Sequence, residues 1–217
     1  DSDPAPREHR SYYLVDGMSE GPFAESIRML KTNLIFQASE KDIKLISLVS
    51  PQKKDGKTLM ALNLGLELAH SGKKVLLVDA NIRNPLLGKV LGVEDDEGLC
   101  DVVLGDAKLE KAIKKTPYKN LFLLPAGKLT GHTPSQILSH EHVKELCAKL
   151  KASNAEIVIF DNTSMRYSES IVVAAHTQGS LFIVSYDKTT KEIAIKSKEA
   201  LAKVKAHVTG VIINFFN

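Results

Sequence analysis

A chain of 217 residues, 43% hydrophobic and 25% charged, is long enough to bury one substantial core. Its net charge of +3 is mild, and its lysines are spread over helical stretches (144–151 and 188–205) rather than gathered beside aromatics, which argues against a nucleic-acid partner. Two isolated cysteines, Cys100 and Cys147, exclude a disulfide framework or zinc site and fit a reducing compartment, and no apolar run is long enough for a membrane span. With no signal peptide visible, the expectation is a cytoplasmic chain. It opens on Asp1 without a methionine, as expected of a piece of something larger.

Residues 1–20 are polar, interrupted by Tyr12 and Tyr13, and read as a flexible lead-in to a domain over 21–217. Pro22 opens the first helical pattern, in which Phe23, Ile27, Leu30 and Leu34 form the stripe predicted to face a sheet. Glu25, Arg28 and Lys31 follow one another at steps of three, a charged stripe away from the apolar face. Strands and helices then alternate: strand 43–50, helix 57–70, strand 75–79, short helix 98–104, strand 121–124, helix 134–151, strand 156–161, helix 168–176, strand 181–185, helix 190–204 and strand 208–214. Crossover helices between strands give an α/β fold, a mostly parallel central sheet with helices on both faces.

Within this pattern the stretch from Ile46 to Ala69 joins a strand to a helix through a polar loop ending in Gly56, Lys57 and Thr58. Backbone NH groups at such a helix N-terminus face a phosphate, a lysine adds charge, and a threonine hydroxyl reaches Mg2+. The full phosphate-loop spacing asks for a glycine five positions before Gly56, where this chain has Pro51. Asp79 and Asp161 each end a buried-strand pattern, so in an open parallel sheet both arrive at the same edge as the loop. Two carboxylates and a hydroxyl suit Mg2+, a hard ion that bridges nucleotide phosphates. Taken singly, each aspartate equally caps the helix or turn after its strand.

Read in order, ESIRMLKTNLIF, SPQKKDGKT, VLLVDANIRNP, GLCDVVLGD, LFLLPAG, TPSQIL, IVIFDNTS and GVIIN resemble the cytoplasmic domain of bacterial tyrosine kinases of capsule and exopolysaccharide synthesis, over residues from about 22 to 214. The resemblance implies a P-loop NTPase-like fold of the deviant-Walker group, binding ATP or ADP with Mg2+. It implies that Lys57 and Thr58 belong to the Walker A motif, Asp79 to Walker A′ and Asp161 to Walker B, with Lys57, Asp79 and Asp161 catalytic and Thr58, Asp79 and Asp161 around the metal. The nucleotide-binding set becomes Lys54, Asp55, Gly56, Lys57, Thr58, Leu59 and Arg83, with Asn214 against the purine or, alternatively, closing its strand. Glu25, Arg28 and Lys31 match a motif that assembles such kinases head to tail into rings. A membrane polysaccharide co-polymerase or activator segment is the implied partner, holding the domain at the inner face of the membrane.

Departures from that pattern are specific. Asn81 stands where the family has a second aspartate, so a charge and a proton acceptor are missing. Lys53 and Lys54 replace the loop's proline and glycine, and Asn162, Thr163 and Ser164 replace Thr, Pro, Pro. No tyrosine cluster precedes Asn217, where the family has its usual phosphoacceptor. Two other readings remain: a nucleotide-holding ring scaffold with little phosphoryl transfer, favoured by Asn81, and a partitioning-type ATPase. Partitioning ATPases carry a second lysine early in the phosphate loop, where this chain has Gln52.

Overall fold

A computed structural model describes residues 20–93 and 96–215. The elements in order are α1 Pro22–Lys41, β1 Leu45–Val49, α2 Lys57–His70, β2 Val75–Ala80, α3 Leu87–Leu91, α4 Leu99–Leu104, α5 Leu109–Ala112, β3 Lys114–Lys115, β4 Leu121–Leu124, α6 Pro134–Ile137, α7 His140–Ala152, β5 Ile157–Asn162, α8 Ser168–His176, β6 Gly179–Ser185, α9 Lys191–Lys203 and β7 Val208–Asn214. Among the described residues seven strands form one sheet in the order β3-β4-β2-β5-β1-β6-β7. Every pairing is parallel except β3 with β4. The expected α/β class and mostly parallel sheet are therefore present. The lead-in, with Tyr12 and Tyr13, lies outside the described residues.

Alternation along the strands divides the core into two layers. Ile46, Leu48, Leu77 and Ile159 face α1, α2 and α3, while Leu76, Val78, Val158 and Phe160 face α4 to α7. On that second side a smaller cluster joins Phe182 and Val49 to Leu201 of α9 and Ala174 of α8. Helix α2 is buried without a break from Met60 to Ala69, because α1 covers the side it turns from the sheet. Ile27 and Leu34 of α1 are buried and Phe23 and Leu30 pack on the same core, as the stripe predicts. Both cysteines lie in the second layer, where burial pushes Cys100 up to about 11 and Cys147 up to about 12, leaving unreactive thiols.

Three expectations need correction. The single helix over 134–151 is two: α6 ends at Ile137, and α7 restarts behind Ser139, whose hydroxyl accepts the amide of His142. One-turn α3 and α5 and the two-residue β3 fall below the length at which an apolar period can be read. The charged stripe of α1 is divided. Exposed Glu25 pairs with half-buried Arg28 at 3.0 Å, but Lys31 turns inward, 3.2 Å from the buried carboxylate of Glu67 in α2.

Candidate nucleotide site

The strands β1, β2 and β5 all end at one edge of the sheet. Asp79 and Asp161 are register partners across β2 and β5, and both project toward the layer that holds α2. The last turn of the loop after β1 starts α2 beneath them, and Thr58 Oγ1 donates to Asp161 Oδ2 at 2.6 Å. Asp161 is fully buried, and burial together with the charge of Asp79 pushes it up to about 7, against the Thr58 bond and the Lys57 charge. Asp79 Oδ2 accepts the amides of Leu86 and Leu87 at 2.9 and 3.0 Å. The capping role weighed from the sequence is thus seen for Asp79, while Asp161 turns its carboxylate to Thr58.

The phosphate loop, residues 51–56, folds around its own polar groups. Asp55 is buried and its Oδ2 accepts the amide of Gln52, while Ser50 Oγ donates to Gln52 O. Lys57, 7% exposed, lies back along the loop with Nζ 2.6 Å from Ser50 Oγ. Burial lowers its affinity for a proton, opposed by the charges of Asp161 and Asp55. Gly56 takes φ 97, and a Cβ there would stand 2.4 Å from Asn214 Nδ2. The Asn214 amide donates to Asp55 O at 3.1 Å, so the last strand braces the loop. Lys54 adopts a left-handed φ of 63, a backbone shape that glycine takes without strain. Leu59, the second residue after Lys57, is half-buried and packs on the core of the first layer.

Arg83 belongs to a neighbouring knot. Its Nη2 lies 2.6 Å from Glu169 Oε1, which also accepts Ser135 Oγ at 2.9 Å. The guanidinium carbon sits 4.1 Å from the centroid of the Tyr167 ring, and Lys53 Nζ lies 5.2 Å from it. Hydrogen bonding to Lys53 and the Lys53 charge hold the Tyr167 hydroxyl below the usual phenol range. Glu169, Ser135 and Tyr167 were not singled out from the sequence. A carboxylate in the first turn of a helix that is otherwise apolar, SESIVVAA, was the available signal.

Several polar atoms at this edge have no hydrogen-bond partner among the described residues although they are buried: Asp161 Oδ1, Asn162 Oδ1, Asp55 Oδ1 and Ser164 Oγ. Oxygens so placed are costly unless a ligand satisfies them, and this donor set fits a hard divalent cation arriving with a nucleotide. Asn81, at the position of the absent second aspartate, donates through Nδ2 to Asn84 O at 3.0 Å and so closes the turn after β2.

Comparison with known proteins agrees with this architecture. An AAA domain family model matches residues 43–177. Tyrosine-protein kinase YwqD of Bacillus subtilis is 33% identical over 192 residues, covering 88% of this chain and 80% of that protein. The succinoglycan biosynthesis transport protein ExoP of Rhizobium meliloti is 26% identical over 214 residues, covering 98% of this chain and 27% of that protein. Two further tyrosine-kinase relatives are likewise covered over only 27% and 26% of their length. The kinase domain of Escherichia coli tyrosine kinase ETK superposes with a TM-score of 0.81 at 25% identity, covering 88% of this chain and 74% of that one. With the AAA domain matched over 43–177 and YwqD aligned along most of its own length, this chain belongs to the bacterial tyrosine-kinase family of P-loop domains.

Proposed function

We propose that the chain is an ATP-dependent protein-tyrosine kinase domain of capsule or exopolysaccharide synthesis and export, with residues 21–217 as its nucleotide-binding unit. The observation that carries the reading is the bond between Thr58 and Asp161 beside Asp79, on the edge where the phosphate loop starts α2. In this reading Lys57 leaves Ser50 for the phosphates, and the amides opening α2 face the same anion. Thr58, Asp79 and Asp161 would hold Mg2+, and the ion would supply charge neutralisation for the phosphates. Phosphoryl transfer moves the γ-phosphorus from the β–γ bridging oxygen to the tyrosine hydroxyl, and Asp79 takes the hydroxyl proton. Positioning and electrostatics carry such chemistry, which is why buried, pre-oriented groups matter more than a strong nucleophile.

Glu25, exposed on α1, and the half-buried Arg28 beside it are the surface by which copies would join head to tail into a ring. A membrane polysaccharide co-polymerase or activator segment is the partner that would keep the domain at the inner face of the membrane. No described helix is long and apolar enough to cross a membrane by itself.

A second reading, a nucleotide-holding scaffold with little transfer, is favoured by the use of Asn81 as a turn-closing amide rather than a carboxylate. Incubating the protein with labelled ATP and Mg2+, with and without a tyrosine-bearing acceptor, separates the two. Phosphotyrosine that disappears in Lys57→Met supports the kinase. Nucleotide binding in calorimetry without any transfer supports the scaffold, and no nucleotide binding at all removes both.

A further inference from the structure

At the opposite end of the strands from Asp79 and Asp161 a half-open cavity of about 860 Å3 lies between the α4–α5 turn and the C-terminal end of α7. Its apolar lining is Ile113 and Phe122, half-buried, with the buried core side chains Leu76, Val102 and Leu109 behind them. It exists because α5 is a single turn, too short to cover β2 and β4, and because Gly105, Ala107, Ala152 and Ala155 project little or nothing into the gap. Three lysines, Lys74, Lys108 and Lys149, stand around it with one carboxylate, Glu110. Lys108 and Lys149 are exposed and form no ion pair among the described residues. The α7 carbonyls that would repel an anion are already engaged, since Lys44 Nζ donates to Lys151 O and Ser153 O at 2.8 and 2.6 Å.

We propose that this cavity binds a single-chain anionic amphiphile, its tail over Ile113 and Phe122 and its acidic head among Lys74, Lys108 and Lys149. The volume falls in the range of about 300–1,000 Å3 typical of small-ligand sites. An acyl chain suits the floor better than a peptide does. Strand β4 is paired on both sides and Ser153 Oγ already donates to Leu150 O, so a peptide's amides would find few partners over apolar side chains. The head supplies the specificity, because the lysines read charge and not tail shape.

Calorimetry with decanoate below its micelle concentration, and with decanol, tests the site on the whole chain. Decanoate should bind saturably and at least tenfold more tightly than decanol. Lys108→Glu combined with Lys149→Glu should weaken decanoate at least tenfold, and Ala152→Phe combined with Ala155→Leu should abolish binding. Thermal melting checks that both variants are folded, and Lys57→Ala should leave decanoate affinity unchanged. Sedimentation with phosphatidylglycerol vesicles but not phosphatidylcholine vesicles, lost on charge reversal, would give a membrane lipid as the source. Binding of decanoate without vesicle binding would give a soluble acid. Equal affinity for decanol, binding that survives the cavity-filling pair, preference for an acidic pentapeptide with two phenylalanines, or no binding of any probe overturns the proposal.

Discussion

Lys31 in α1 holds the buried carboxylate of Glu67 in α2, with Nζ 3.2 Å from an oxygen of a side chain that is only 4% exposed. The other oxygen, Oε1, has no hydrogen-bond partner among the described residues, so this lysine alone among side chains answers the Glu67 charge there. The contact lies inside one subunit and joins the first helix to the helix that carries the phosphate loop.

Lys31→Ala and Arg28→Ala should therefore behave differently although they lie one turn apart. Loss of Lys31 strands a buried charge and should cost about 2 kcal/mol, roughly 4–8 °C in melting temperature for a chain of this size. Loss of Arg28 breaks an exposed pair worth about 0–1 kcal/mol and should leave melting nearly unchanged. If Arg28 contributes to assembly, its loss shifts a concentration-dependent oligomer toward monomer, and the difference from the wild type is largest at low salt and shrinks as salt rises. Differential scanning calorimetry and light scattering on both variants check the pair. Equal melting temperatures would remove the structural role from Lys31.

Gly56→Ala should disable the phosphate loop for two separate reasons, the left-handed φ of 97 and the collision with Asn214 Nδ2. We expect a loss of about 1–3 kcal/mol in stability and at least a tenfold loss in Mg-ATP affinity. Adding Asn214→Ala removes the collision and not the backbone strain, so it should restore part of the stability. Full restoration would mean that the φ at Gly56 costs nothing.

The raised affinity of Asp161 for its proton has a definite sign. The carboxyl titrates near 7 in the folded chain and near 3.8 when unfolded, so its stabilising contribution is complete below 3.8 and is lost as pH rises through 7. Without nucleotide or Mg2+, the wild type should melt progressively lower than Asp161→Asn between pH 5 and 8. Mg-ATP at pH 8 should recover the wild type and not the variant. A constant difference across that range would show that Asp161 is ionised throughout.

Asn81→Asp restores the second carboxylate of the family pattern at a position whose amide now closes a turn. The substitution should cost about 1 kcal/mol through the lost bond to Asn84 O. It should also raise phosphotyrosine formation on the order of tenfold or more by adding a second carboxylate beside the Asp79 base. An unchanged or lower rate in the labelled-ATP assay would mean that transfer was never limited by the missing acid.

Long apolar patterns were legible. Helix α2, strand β4, helix α8 and strand β7 begin and end where the sequence sets them, because each is bounded by a change in period or by a glycine, serine or asparagine. The loop, Asp79 and Asp161 meet at one edge because parallel strands leave no other place for them. What escaped reading was decided by contacts distant in sequence. On a helical wheel Lys31 belongs with Glu25 and Arg28, and only the lone carboxylate in the apolar run LGLELA hinted that α2 needed a cation from elsewhere. Ser139 stopped one helix and started another inside a stretch whose composition favours helix throughout. The partnership of Arg83 with Glu169, 86 residues away, has no local signature.

The bond from Asn214 to the carbonyl of Asp55 spans 159 residues. On a ribosome adding about 5–20 residues per second, the phosphate loop would wait roughly 8–30 s for the strand that braces it. Until β7 docks, a nascent chain can form the first layer of the sheet yet lack a rigid anion cradle. Retention on an ATP resin would then report the docking of β7, and a pause in translation before that strand emerges would delay the moment at which the site becomes competent.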